Sequence, residues 1–252
     1  VKLLSALLFA AFLAAWEWLP PALGIPAYIV PPASNTWREF VRMLAQERLL
    51  FHTGVTALEV LAGFVLGSLL GLVAGYVLGI SRRCEFVLSP YILALQIAPK
   101  VAFAPLFVMW FGFTVYPKIL VAILIVFFPV LVNVLTGVRS VDPDLVNLAR
   151  AFNASRWQIF RMIEYPSALP PLFSGLRIAA TLAVIGVVVG EFVGGNLGLG
   201  YLLIFGEGAA NTAMVFVTII LLTLIGIAGY AAVVLAEARV LGYRPRTEYQ
   251  MA

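Results

Sequence analysis

In a chain that is 63% hydrophobic and 11% charged, each ionisable or amide side chain inside an apolar run needs a reason to be there. Glu59, Gln96, Lys100, Asn133, Arg177 and Glu191 are such residues. A polar group in hydrocarbon is costly, so it faces the interior of a bundle, a wet path or a polar partner. Gln96, Lys100, Asn133, Arg177 and Glu191 are therefore the candidates for lining a route through the membrane. Each has a plainer reading beside it. Lys100 suits an anion, or, like Arg177, snorkels toward headgroups. Glu59 stands close to the end of its run and reads as interfacial. Glu191 pairs with a base or serves a gate, and Gln96 and Asn133 bond between helices. His52 is the only histidine and Cys84 the only cysteine. That leaves no metal set, no internal disulfide and no nucleophile–base pair for an intramembrane enzyme. No G-x-x-x-x-G-K-[ST] loop occurs, so any ATP used is bound by another chain.

The elements that must position these residues are membrane helices. A soluble domain carries about 25% charged residues. This chain, with a mean hydropathy of +1.04, cannot coat itself in water. A helix crosses the hydrocarbon core with about 20 apolar residues. Runs of that kind cover Leu3–Leu23, Val55–Ile80, Phe86–Phe111, Lys118–Val138, Pro171–Val193 and Ala213–Leu235. The expected fold is an all-α membrane bundle of about six spans, a single domain over residues 1–252. The first run ends in Trp16-Glu17-Trp18-Leu19-Pro20-Pro21 and lacks a small-residue cleavage pattern, so it reads as a retained helix. Pro90, Pro99 and Pro105 break the third, and the freed backbone groups must face protein or a cavity. Residues 34–50 form an amphipathic segment suited to the membrane surface.

The net charge of +4 sits at the ends of the runs, where it sets topology and does not call for nucleic acid. With the N-terminus inside, the inner side holds Lys2, Arg82, Arg83, Arg139, Arg150, Arg156, Arg161, Arg239, Arg244 and Arg246. The outer side holds Arg38, Arg42, Arg48 and Lys118. This asymmetry predicts both termini inside. In the second span Gly63, Gly67, Gly71, Gly75 and Gly79 recur every four residues, on one helix face. Gly186, Gly190 and Gly194 form a shorter set in the fifth. Such faces admit a neighbouring backbone closely. They serve packing, or else smooth sliding.

The longest inner loop, residues 142–170, is more than a connector. Asp142 can cap a helix and Pro143 suits its first turn. Leu145, Leu148, Ala149 and Phe152 recur at helical spacing. Asn153 tolerates a left-handed turn. Ser155 with Gln158 spells a capping box for a second helix, ending at Tyr165-Pro166. The expected elbow exposes Leu148 and Phe152 beside Arg150 and Arg156, and an exposed apolar patch marks a partner.

This loop resembles the EAA motif of ABC-importer permeases: Glu-Ala-Ala, three residues, Gly, nine residues, Ile, one residue, Leu-Pro. Ala149, Ile163 and Pro166 match at the family's spacing. Asn147 replaces Glu, Leu148 the first Ala, Asn153 the Gly and Tyr165 the Leu. Asn147 puts in doubt any ion pair made there in relatives. The likeness extends through Leu61-Ala62-Gly63-Phe64, Ala98-Pro99-Lys100 to Trp110-Phe111-Gly112, Gly137-Val138-Arg139 to Pro143, and Gly198-Leu199-Gly200-Tyr201. These are similar to the nitrate/sulfonate/taurine-type branch, which includes carriers of thiamine precursors, riboflavin and aromatic acids. The resemblance implies a multi-pass permease of the bacterial inner membrane that is not itself an enzyme. It implies a second copy of the chain, two cytoplasmic ABC ATPase subunits holding ATP and Mg, and an external substrate-binding protein. The chain itself is expected to bind no cofactor. Asn147, Leu148, Ala149, Arg150, Ala151, Phe152, Asn153, Ala154, Ser155, Trp157, Ile163 and Pro166 would then couple to the ATPase. An ion-coupled secondary transporter is the competing reading. It would often show repeated halves, and none is evident.

Overall fold

The computed structural model describes residues 2–242; Arg244 and Arg246 of the inner-side count lie outside the described residues. The chain runs α1 (Lys2–Ala22), α2 (Ala33–Gln46), α3 (Leu49–Ile80), α4 (Arg82–Ile97), a 3₁₀ turn (Lys100–Phe103), α5 (Ala104–Phe111) and α6 (Val115–Arg139). It continues through α7 (Pro143–Ala151), α8 (Arg156–Ile159), a π turn (Phe160–Glu164), α9 (Tyr165–Gly194), α10 (Leu199–Gly208) and α11 (Thr212–Val240). Five of the described helices are long and apolar enough to cross a membrane, and α4 with the 3₁₀ turn and α5 forms a pair bent by 82°.

Packing decides how that bent pair is used. Gly63, Gly67, Gly71, Gly75 and Gly79 of α3 meet Ala122, Val126, Val130, Val134 and Val138 of α6 in ascending order, so α3 and α6 run parallel. A chain leaving α3 at one end of the bundle must return to the other before α6 begins. The bent pair is therefore one broken crossing, and the spans number six among the described residues. Pro99 enforces the break, since it has no N–H to donate into a continuing helix. Gly186 and Gly190 of α9 meet Ala122 and Lys118, while Gly137 of α6 meets Ala168 and Pro171, so α9 is antiparallel to α6. Gly226 and Gly229 of α11 lie over Val184 and Ala180, so α11 is antiparallel to α9 in turn. The described ends of α1 and α11 share the end of the bundle that carries the loop 140–165.

The core is this α3–α6–α9 sandwich, filled by Val126, Val130, Val134, Ala179, Ala183 and Val187. The glycine ladder is a seam of interlocked parts. A Cβ on Gly71 falls 2.6 Å from the Phe127 carbonyl oxygen, and one on Gly75 falls 2.6 Å from that of Leu131. A valine or alanine of α6 faces each glycine, so sliding by one residue drives a branched side chain into backbone. The geometry favours packing over the sliding reading.

The second span, the surface segment and the fifth span differ from the expected boundaries in ways the backbone explains. The second span begins at Leu49, six residues before Val55, because Arg48 takes φ +49 and turns the chain directly from α2 into α3. The surface segment accordingly stops at Gln46. The fifth span begins with the elbow: α8, the π turn and α9 form one continuous apolar helix, Arg156–Gly194. The sequence reading broke it at Tyr165-Pro166. The π turn resets the hydrogen-bond ladder, so that Pro166 falls in the first turn of α9, where a missing N–H costs nothing.

At the far end from the loop, α2 is tied to its neighbours. Glu17 of α1 accepts from the N–H and hydroxyl of Ser34, both at 2.8 Å. Glu39 pairs with Arg42 and accepts from Asn211 Nδ2 at 2.8 Å. The hydrogen bond from Arg42 holds the Glu39 carboxyl below its usual range. A depressed carboxyl contributes stability above its unfolded pKa and loses it as pH falls through the folded value. Protection of the α2 amides, relative to their intrinsic exchange rate, should therefore hold at neutral pH and fall below the ordinary carboxylate range, and Glu39→Gln should weaken that dependence to the part owed to Glu17. Gly71→Ala should lower the thermal midpoint in detergent, by the scale of core overpacking, about 1–3 kcal/mol. Gly54→Ala, where nothing lies within 4 Å, should leave the midpoint unchanged or raise it.

Candidate functional site

The elbow is built by local chemistry. Asp142 accepts from the Asp144 N–H at 2.9 Å and opens α7, with Pro143 in its first turn. Asn153, at φ +56, closes it. Its N–H donates to the Arg150 carbonyl at 2.9 Å, and the Ala154 N–H reaches back to Ala149 at 3.0 Å. These are the paired bonds of a Schellman motif with Asn in the left-handed position. Ser155 and Gln158 make the reciprocal capping box that opens α8. Both strokes of the elbow are thus fixed before any partner arrives.

What the elbow presents is apolar. Phe152 is 79% exposed, Trp157 66% and Leu148 55%. Asn147, Arg150, Ala151, Asn153 and Ser155 are also exposed, while Ala149, Ala154, Ile163 and Pro166 are half-buried. The inner side is anchored. Ile159 is buried at 3%, and Trp157 stacks on Phe160 at 5.4 Å, which meets Tyr76 of α3 edge-on at 5.8 Å. Arg139 of α6 joins Glu85 of α4 and the Leu78 carbonyl of α3 at the same end. The elbow is thus packed on α3 and continuous with α9.

The five pathway candidates separate. Gln96 and Lys100 stand together at the break between α4 and α5. Lys100 Nζ donates to the Gln96 carbonyl at 2.6 Å and lies 4.8 Å from the Phe128 ring centroid. Gln96 is exposed and α4 buries no residue. Asn133 Nδ2 donates to the Pro129 carbonyl one turn back in its own helix at 2.8 Å. Arg177 sits 3.4 Å from Glu237 of α11. Glu191 is 1% exposed and accepts from Thr56 Oγ1 at 2.7 Å.

Neither Glu59 nor Lys118 stands alone: each is 4% exposed and faces protein. The two form an ion pair at 2.8 Å. His52 is not isolated either. It stacks on Tyr201 at 5.8 Å and accepts from the Gly198 N–H at 3.0 Å. Sequence reasoning missed this cluster. Its signal was that Glu59, Lys118 and Glu191 stand at one depth on three helices.

Residues 67–242 match the family of binding-protein-dependent transport system inner membrane components. The chain belongs to that family. It is 39% identical to the riboflavin transport system permease protein RibX of Chloroflexus aurantiacus, over 88% of this chain and 83% of that one. It is 33% identical to the formylaminopyrimidine transport permease protein ThiX of Halalkalibacterium halodurans, over 95% of both. It is 32% identical to the putative aliphatic sulfonates transport permease protein SsuC of Bacillus subtilis, over 94% and 86%. The inward-facing MetNI methionine ABC transporter shares the fold, at a TM-score of 0.58 and 20% identity, over 73% of this chain and 94% of that one. The protein is thus an ABC-transporter permease subunit of the branch that holds these relatives.

In this permease the Asn153 turn should tolerate glycine and reject β-branched residues, which strain at positive φ. Asn153→Gly should keep the thermal midpoint, whereas Asn153→Val should quicken proteolysis within residues 143–159 while the bundle stays intact.

Proposed function

We propose that this permease moves a small solute, delivered by an external binding protein, through a path shared with a second copy of the chain. Two cytoplasmic ATPase subunits, holding ATP and Mg, drive it through the elbow. The observation that carries the reading is the exposed Phe152–Trp157 face on a doubly capped elbow. A connector between two membrane helices has no use for such a face, whereas a lever seated in a partner's groove requires it. The elbow end then faces the cytoplasm, with both termini on that side, in accord with its excess of Lys and Arg. The chain binds no cofactor in this reading.

The path runs by the broken crossing, where Gln96 and Lys100 are the polar groups nearest an exposed face. Asn133, Arg177 and Glu191 are engaged with protein partners and serve structure more than the path. Lys100 favours an anionic solute, which fits sulfonate-, taurine- or nitrate-like substrates. Thiamine-precursor pyrimidines, riboflavin and aromatic acids are the alternatives raised by the relatives.

Phe152→Ala should leave folding intact, since the side chain touches solvent. It should cut both co-purification of the cognate ATPase and ATP-driven uptake roughly tenfold or more, the scale of truncating an aromatic anchor. Uptake that persists without the ATPase but needs an ion gradient would instead establish a secondary transporter.

A further inference from the structure

At the far end, α10 starts without a cap of its own. A helix leaves its first N–H groups without intrahelical partners. Here three of them are taken by side chains of α3 and α9. The Gly198 N–H donates to His52 Nδ1 at 3.0 Å, the Leu199 N–H to Thr56 Oγ1 at 2.7 Å, and the Gly200 N–H to Glu191 Oε2 at 2.5 Å. The preceding carbonyl, Leu197, accepts from Lys118 Nζ at 3.2 Å. The Thr56 hydroxyl in turn donates a hydrogen bond to Glu191, and Lys118 is held by Glu59. Four consecutive backbone groups of one loop are thus gripped by side chains from α3, α6 and α9. Glu59 Oε2 is buried with no donor among the described residues.

This is a poor way to build a static joint. Replacing a buried ion pair by packed apolar groups is often neutral or stabilising. Ionisable groups inside a membrane protein mark working sites more often than fasteners. Directional bonds have one property that apolar packing lacks: they let go together, and water can replace every one of them. The loop is also shaped to the grip. Gly198 sits at φ +109, and a Cβ on Gly200 falls 2.7 Å from Glu191 Oε2, so the grip closes only on bare backbone. At ten residues α10 is too short to cross a bilayer. It lies over the end of the bundle with Leu199 and Leu202 buried and Ile204 and Phe205 exposed.

We propose that the loop 195–198 and α10 form a strap across the far end of the permease, and that His52, Thr56, Glu59, Lys118 and Glu191 are its catch, engaged when that end is closed and released when it opens. These are positioning residues, since they act through the backbone of the strap. The proposal rests on the transport reading above.

Leu202, 1% exposed on the buried face of α10, supplies the reporter. In a Cys84→Ser background, Leu202→Cys is placed in the complete transporter in proteoliposomes and treated with a membrane-impermeant maleimide. Val187→Cys, at a core position of 0% exposure, controls for general unfolding. Labelling at Leu202→Cys should be slow without ATP and roughly tenfold or more faster during turnover. Adding Thr56→Val, which removes two hydrogen bonds and keeps the shape, should give the fast rate at rest. Val187→Cys should stay protected throughout. A Leu202→Cys that stays protected during turnover overturns the proposal, as does a Thr56→Val change without effect or a Val187→Cys that labels in parallel. Uptake that does not depend on ATP at all would defeat the transport reading and is scored separately from the labelling.

Discussion

Lipid tails are as apolar as leucine, so a helix in a bilayer gains little merely by exchanging lipid for a neighbour. What holds such a bundle is close contact, and here the closest contacts converge on α6. The glycine face of α3 admits it from one side and that of α9 from the other. At Ala122 the two faces meet the same residue, through Gly63 and Gly186. The three helices therefore behave as one body. The elbow at one end and the buried polar cluster at the other are both mounted on that body.

The helices outside it are held differently. α1 exposes most of its length, and α4 buries nothing within this chain. α4 and α5 are joined at a bend whose freed backbone and long side chains, Gln96 and Lys100, need a wet or protein surface. The compact body and the loosely held crossing thus divide the labour. One transmits position, and the other offers a polar face.

Much of this was legible in the sequence where the determinants are local. Asn153, Ser155 with Gln158, and Asp142 with Pro143 fix their turns through neighbours within a few residues. The apolar runs likewise found every crossing, including the one broken by Pro99. The rest was hidden because it depends on which faces meet. Nothing within the sequence around Lys118 says that Glu59, 59 positions away, will lie against it. Nor does the text around His52 point to the loop at Gly198. The start of α3 was misjudged because Arg48 adopts a left-handed conformation that its residue type does not advertise. The fifth span was cut at Pro166 because a proline usually ends a helix, and only the π turn before it lets one continue.

That π turn sets a phase. It winds one residue more than an α turn would, between the elbow's exposed face and the glycine face of α9. The azimuth at which Phe152 and Trp157 point, relative to the seam on α6, is therefore fixed by a single residue's worth of winding in Phe160–Glu164. Lineages that lost or gained one residue there would turn the lever about the helix axis by roughly a quarter of a revolution, at 3.6 residues per turn. A partner's groove would then face the wrong side, though every side chain in it remained intact.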